Sequence, residues 1–145
     1  MFLPDVNVLV YAHREESPNH LAYLHWLENL INGTHIYGTA ELVLSGFLRI
    51  VTHPRIFDPP SSFVDALAFV EEVRSQANCR IIRPETQHWE IFCRLCRESN
   101  AKGNLTPDAY FAALAIESGC TWIFTDRDFG RFKGLDWQHP LELPT

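Results

Sequence analysis

The chain has 145 residues, 46% of them hydrophobic and 21% charged, with a formal net charge of −6. That length suits one domain, residues 1–145, built on a single core, and the composition excludes disordered and fibrous classes. No apolar run reaches the roughly 20 residues of a membrane helix and no basic-then-apolar leader opens the chain, so a cytoplasmic protein with no membrane partner is expected. The negative charge argues against general electrostatic attraction to nucleic acid, though not against a nuclease whose site is rich in carboxylates.

Phe2-Leu3-Pro4 reads as a short strand that ends near Asp5, and Val6 to Ala12 as the helix after it. Ser17-Pro18 supplies a cap and first residue for a second helix carrying Leu21, Leu24 and Leu27, closed by Asn32-Gly33. A strand at about 35–38 follows, and Thr39 is placed to cap a helix with Glu41 in its first turn and Pro54 as its stop. Phe57-Asp58-Pro59-Pro60 is a stiff connector to a helix that starts at Ser61 or Ser62. Residues 79–83 form a third strand candidate, and Pro84-Glu85 opens the helix that carries Trp89, Phe92 and Leu95.

Next comes Asn104-Leu105-Thr106-Pro107-Asp108, in which Thr106 can cap, Pro107 fits the first helical position and Asp108 sits at the positive helix end. Gly119 is placed for a left-handed helix terminus. Trp122-Ile123-Phe124 is a short apolar strand with Thr125-Asp126 at its carboxyl end, and 134–137 suggests a last short strand. Strands alternating with helices of this length predict an α/β fold with a mostly parallel sheet of four or five strands.

Cys93 and Cys96 have the gap of a zinc half-site, but no second pair with suitable spacing exists. With Cys79 and Cys120 they read as small buried hydrophobes. The seven histidines are scattered and form no metal triad; His13, which follows the Asp5 segment, is the one expected nearest a site.

Asp5, Glu41, Asp108, Asp126 and Asp128 share a predicted position, at a strand's carboxyl end or in the first turn of the next helix. In parallel sheets that edge is where ligands bind. Taken singly, each acid could serve a helix dipole or a turn. Together on one edge they would repel one another unless they served a divalent cation such as Mg²⁺ or Mn²⁺, which takes carboxylate oxygens and keeps several waters.

Asp5-Val6-Asn7-Val8-Leu9-Val10-Tyr11-Ala12, the Glu41 helix ending Phe47-Leu48-Arg49-Ile50-Val51-Thr52-His53-Pro54, Pro107-Asp108-Ala109 and Thr125-Asp126-Arg127-Asp128-Phe129, in that order, resemble the PIN-domain ribonucleases. More narrowly, the chain is similar to VapC toxins of bacterial toxin–antitoxin pairs, of the kind common in mycobacteria, from Asp5 to about Leu141. The resemblance implies a three-layer α/β/α sandwich and Mg²⁺- or Mn²⁺-dependent endoribonuclease activity. It also implies a homodimer and inhibition by a small VapB-type antitoxin. It carries metal-binding and catalytic roles onto Asp5, Glu41, Asp108 and Asp126, with Asp128 as a further metal-binding acid. Carboxylate-held metal can activate water for phosphodiester hydrolysis without a His or Ser nucleophile, and Glu41 or Asp126 could orient that water.

RNA contact is expected from basic residues flanking these segments, Arg14, Arg49, Arg127 and Arg131, with Arg55 and Lys133 nearby. Two alternatives stay open. One is a Mg²⁺-dependent phosphatase with Asp5 as nucleophile, against which stands Asn7 where that chemistry usually has a second acid. The other is a catalytically silent module that keeps the fold and binds a partner. Apolar residues on the second to fourth helices, Leu21, Leu24, Leu27, Phe47, Phe63, Leu67, Phe69 and Val70, exceed what a small sheet would cover and predict a groove for an amphipathic antitoxin segment.

Overall fold

The computed structural model describes residues 1–125 and 130–142. Among the described residues five short strands and six helices follow one another as β1 (Phe2–Pro4), α1 (Val6–His13), α2 (His20–Ile31), β2 (Tyr37–Thr39), α3 (Glu41–Val51), α4 (Phe63–Arg74), β3 (Cys79–Ile81), α5 (His88–Ser99), α6 (Leu105–Ser118), β4 (Thr121–Ile123) and β5 (Trp137–Gln138). The strands form two parallel ladders, β1-β4-β5 and β2-β3, which meet where β1 lies beside β2. Their order across the molecule is therefore β3-β2-β1-β4-β5, and β1 is central. Leu3, Trp122 and Ile123 are fully buried, as strands covered on both faces must be.

Helices cover the sheet in two packed groups, giving the three-layer α/β/α arrangement. α1 packs on α2 and α3, and α3 on α4, whereas α5 and α6 pair with each other and α6 touches β4. Phe47 of α3 and Phe69 of α4 stack at 4.9 Å, and Phe111 of α6 lies 5.5 Å from Trp122 of β4. These aromatic contacts join helix to helix and helix to sheet, so the strand ends are held by the core and not by the loops alone.

Several helix starts depart from the expectation, each for a local reason. α2 begins at His20, after Asn19 in the left-handed conformation (φ 59°), and Ser17 lies in the preceding turn, its carbonyl accepting from His20 N–H. Thr39 does not cap α3, because it is the last paired residue of β2 and its carbonyl accepts from Ile82 N–H at 2.8 Å. Ala40 takes the cap position without a side-chain bond. α5 starts at His88 and not at Pro84-Glu85; the Glu117 carboxylate of α6 accepts from the Glu85 and Gln87 N–H groups at 2.8 and 2.9 Å, a cap supplied from another helix. α6 begins at Leu105 behind Asn104, so Thr106 is inside it and Pro107 occupies the first turn, where N–H groups have no helical partner to lose. Ser62 caps α4 through Asp65 N–H, and Gly119 closes α6 in the left-handed region at φ 71°, both as expected.

Candidate active site

Parallel strands all end on one edge, and the sequence puts Asp5 directly after the central one, β1. At the end of β1, Asp5 is the N-cap of α1, with an extended backbone, and its carboxylate accepts from Val6 N–H at 2.6 Å. Asp5 N–H in turn donates to the carbonyl of Ile123 in β4 at 2.8 Å, which fixes this residue to the sheet edge. Asp108 stands in the first turn of α6, where the helix dipole favours a negative charge. Both line one cleft of about 370 Å³, walled by Val6 and Asn7 of α1, by Leu42, Ser45, Arg49 and Ile50 of α3 and by Pro107 and Phe111 of α6. Gly46 makes the cleft narrow: a Cβ there would stand 3.1 Å from Val6 Cγ2, so its absence lets α3 approach α1.

Two carboxylates with neutral oxygens beside them, Asn7 and Ser45, suit a hard cation. Mg²⁺ is commonly held by one or two carboxylates and several waters, so the donor set fits such an ion. Among the described residues no three His, Cys, Asp or Glu side chains cluster closely enough to form a larger ligand set. Asp126, Arg127 and Asp128 lie outside the described residues. The described residues before them end at Thr125, after the buried Phe124 and two residues past β4, the strand paired with β1.

Glu41 opens α3 but does not line the cleft. Its two carboxylate oxygens meet Arg74 of α4 and Arg83 beyond β3, each at 3.3 Å, at the surface. Residues four apart share a helix face, so Glu41, Ser45 and Arg49 form one stripe that runs from the mouth of the cleft along its wall. That stripe brings Arg49 to the site. Arg74 and Arg83 escape sequence reasoning because they lie 33 and 42 positions from Glu41, and nothing local signals the meeting.

The other candidate residues sit elsewhere. Arg14 is the C-cap of α1, at the end opposite Asp5, and is held by Glu16, by Ser61 Oγ at 3.0 Å and by the Pro59 carbonyl at 2.9 Å, with its guanidinium 4.4 Å above the Phe57 ring. His13 does not approach the acids either. It packs edge-on against Phe47 and Phe69, and its Nε2 bonds Ser61 Oγ at 2.9 Å. Burial and the neighbouring Arg14 push the His13 pKa below its ordinary value of 6.5. Arg131 is exposed, between β4 and β5. A larger apolar cavity of about 540 Å³, bounded by Met1, Phe2, Trp26 and Leu30, contains none of the acids. The four cysteines are free thiols, and burial raises Cys79, Cys96 and Cys120 above the ordinary thiol range, consistent with inert packing.

Comparison with known proteins identifies the family and the fold. The PIN domain family matches residues 2–135. The VapC ribonuclease Mb2897 of Mycobacterium bovis is 42% identical over 145 residues, 100% of this chain and 99% of its own length. Ribonuclease VapC25 of Mycobacterium tuberculosis is 42% identical over 135 residues, 93% of this chain and 95% of its own. Among solved structures, Mycobacterium tuberculosis VapC20, a sarcin-ricin loop cleaving toxin, aligns with a TM-score of 0.65 at 13% identity, over 93% of this chain and 98% of that one. VapBC2 of Rickettsia felis, bound to a DNA fragment from its promoter, gives a TM-score of 0.66 at 16% identity, over 95% and 97%. The solved structures speak for the fold and the mycobacterial sequences for the family: the chain belongs to the PIN domain family, alongside its VapC ribonucleases.

Proposed function

We propose that this protein is a Mg²⁺- or Mn²⁺-dependent endoribonuclease, the toxin of a VapBC-type toxin–antitoxin pair, acting in the cytoplasm as one domain. The observation that carries the reading is the convergence of Asp5 and Asp108 on one narrow cleft at the carboxyl edge of the sheet. When bound there, the metal supplies a water of lowered pKa and a counter-charge for the scissile phosphate. Asp5 and Asp108 would hold it, and the bond from Val6 N–H keeps the Asp5 carboxylate oriented. Asn7 and Ser45 offer neutral hydrogen bonds to phosphate oxygens, and Arg49 a charged one. Val6, Leu42, Ile50 and Phe111 narrow the cleft and limit bulk water. Asp126 and Asp128 complete the proposed acid set, with Glu41 joining it if the Arg74 and Arg83 pairs release it.

The test is cleavage of a single-stranded RNA by the purified protein, with Mg²⁺ or Mn²⁺ and then with a chelator in excess. Cleavage that needs metal and disappears in Asp5→Asn supports the reading. Cleavage at equal rates in chelator, or in the variant, rejects it.

A small antitoxin is the proposed protein partner and a second copy of the chain the proposed dimer partner. The core takes Leu27, Phe47 and Val70, so part of the expected apolar surplus is ordinary packing. Leu21 remains 76% exposed, and Phe63, Val64 and Leu67 are exposed on α4. A cleft of about 260 Å³, lined by Leu24 and Ile31 of α2 and Phe69 of α4, lies on the same two helices and suits an amphipathic helix. Co-expression with the neighbouring small reading frame tests the pairing; recovery of the chain alone and still active would reject it.

A further inference from the structure

A chain of net charge −6 must hold RNA through local cations, and the structure shows where three of them gather. Arg49 stands on the cleft wall. Arg74 and Arg83 reach from α4 and from the segment after β3 to one carboxylate, Glu41, at the other end of the same α3 stripe. Eight residues of helix separate Glu41 from Arg49, about 12 Å at 1.5 Å per residue, so cations stand near both ends of the α3 wall of the cleft. All three groups of the Glu41 cluster are open to solvent: Arg83 is 61% exposed, Glu41 53% and Arg74 38%. Exposed ion pairs of this kind contribute little to stability, and two guanidinium groups share one carboxylate. Their donors are therefore free to exchange. A phosphate offers them paired acceptor oxygens, as a carboxylate does.

We propose that Arg74 and Arg83 grip the RNA backbone beside the cleft, and that Glu41 holds them in position until phosphate displaces it. This rests on the reading of the chain as a ribonuclease. It makes Glu41 a competitor of the RNA for the two arginines, with its carboxylate released towards the cleft mouth as substrate binds. Arg14, the corresponding candidate from the sequence, is excluded from this role by its closed contacts with Glu16, Ser61 and Pro59.

The experiment measures binding of a labelled single-stranded RNA by anisotropy across a salt series, with the Asp108→Asn variant as the non-cleaving parent. Adding Arg74→Ala and Arg83→Ala should weaken binding roughly tenfold at low salt and flatten the slope of log affinity against log salt by about 1.4, close to 0.7 for each phosphate no longer neutralised. Adding Glu41→Gln to the parent should instead tighten binding, since the arginines are freed. Should the double arginine variant melt early, Arg83→Ala alone should flatten the slope by about 0.7. Arginine variants with the affinity and salt slope of the parent overturn the proposal, as does Glu41→Gln weakening RNA binding to the same degree as they do. Loss of antitoxin binding with RNA binding intact also overturns it and assigns the arginines to the protein partner. A parent that binds no RNA at all removes the ribonuclease reading with it, and so separates the two failures.

Discussion

The two ends of α1 treat charge in opposite ways. At the amino end Asp5 opens onto a cleft that Asp108 also lines. At the carboxyl end Arg14, His13, Ser61 and Glu16 close on each other, with Phe47, Phe57 and Phe69 packed around them. Eight helical residues separate the cleft that Asp5 and Asp108 line from a region whose polar groups bond one another. Polar groups satisfied within the fold stabilise it, whereas a cluster of carboxylates costs stability until a cation arrives. The two ends of α1 thus differ in their surroundings, an open cleft at one and closed side-chain contacts at the other.

The largest effect should come from the open end. Asp108→Asn should lower metal-dependent RNA cleavage by more than about 100-fold, the upper range of what outer-sphere groups around a metal cost, while the variant melts near the wild-type temperature without metal. Asn keeps the shape and withdraws the charge. A variant that melts well below wild type would mean that the cleft carries structural weight, and the contrast between the two ends would fail.

The closed end should answer in stability and not in chemistry. Arg14→Ala should cost about 1.5–3 kcal/mol by chemical denaturation, the range for hydrogen bonds to charged groups, because its side chain is only 12% exposed and Glu16, Ser61 and Pro59 lose a partner together. Cleavage per folded molecule should stay near wild type. A fall in activity without a fall in stability would place Arg14 back among the RNA contacts.

A smaller and sharper test is pH. Burial holds the folded His13 pKa below its ordinary 6.5, with Arg14 and His20 also lowering it and Asp65 and Glu16 partly opposing them. The unfolded chain therefore takes up the proton first, so stability is full above pH 6.5 and declines as pH falls below it. Melting temperatures followed from about pH 8 to about pH 5 should show a shallower decline in His13→Gln than in wild type. Parallel curves would show that the ring titrates alike in both states.

How far the sequence reveals this contrast depends on the range of the interactions. Asp5 and Asp108 can be located from the chain because their signals are local: a short strand running into a helix start, and an acid beside Pro107 in a first turn. Ser62 and Gly119 are legible for the same reason. Arg14 and Arg74 look alike in sequence, each a basic residue at a helix end, and only long-range packing separates them: Arg14 meets Ser61, 47 positions away, and Arg74 meets Glu41, 33 away. The start of α5 is hidden likewise, since Glu117 caps it from α6. Glu41 is placed correctly at its helix start, yet its direction depends on two arginines from other elements.

The measurement that bears most directly on the cleft is a thermal melt of wild type and of the Asp5→Asn, Asp108→Asn double variant across a Mn²⁺ titration. An ion bound only by the native cleft raises the melting temperature with concentration. Wild type should rise steadily through the millimolar range while the double variant stays flat, its caps intact because Asn serves an N-cap as well as Asp. Equal rises in both proteins, or none in either, would contradict the assignment of Asp5 and Asp108 as the metal-holding pair.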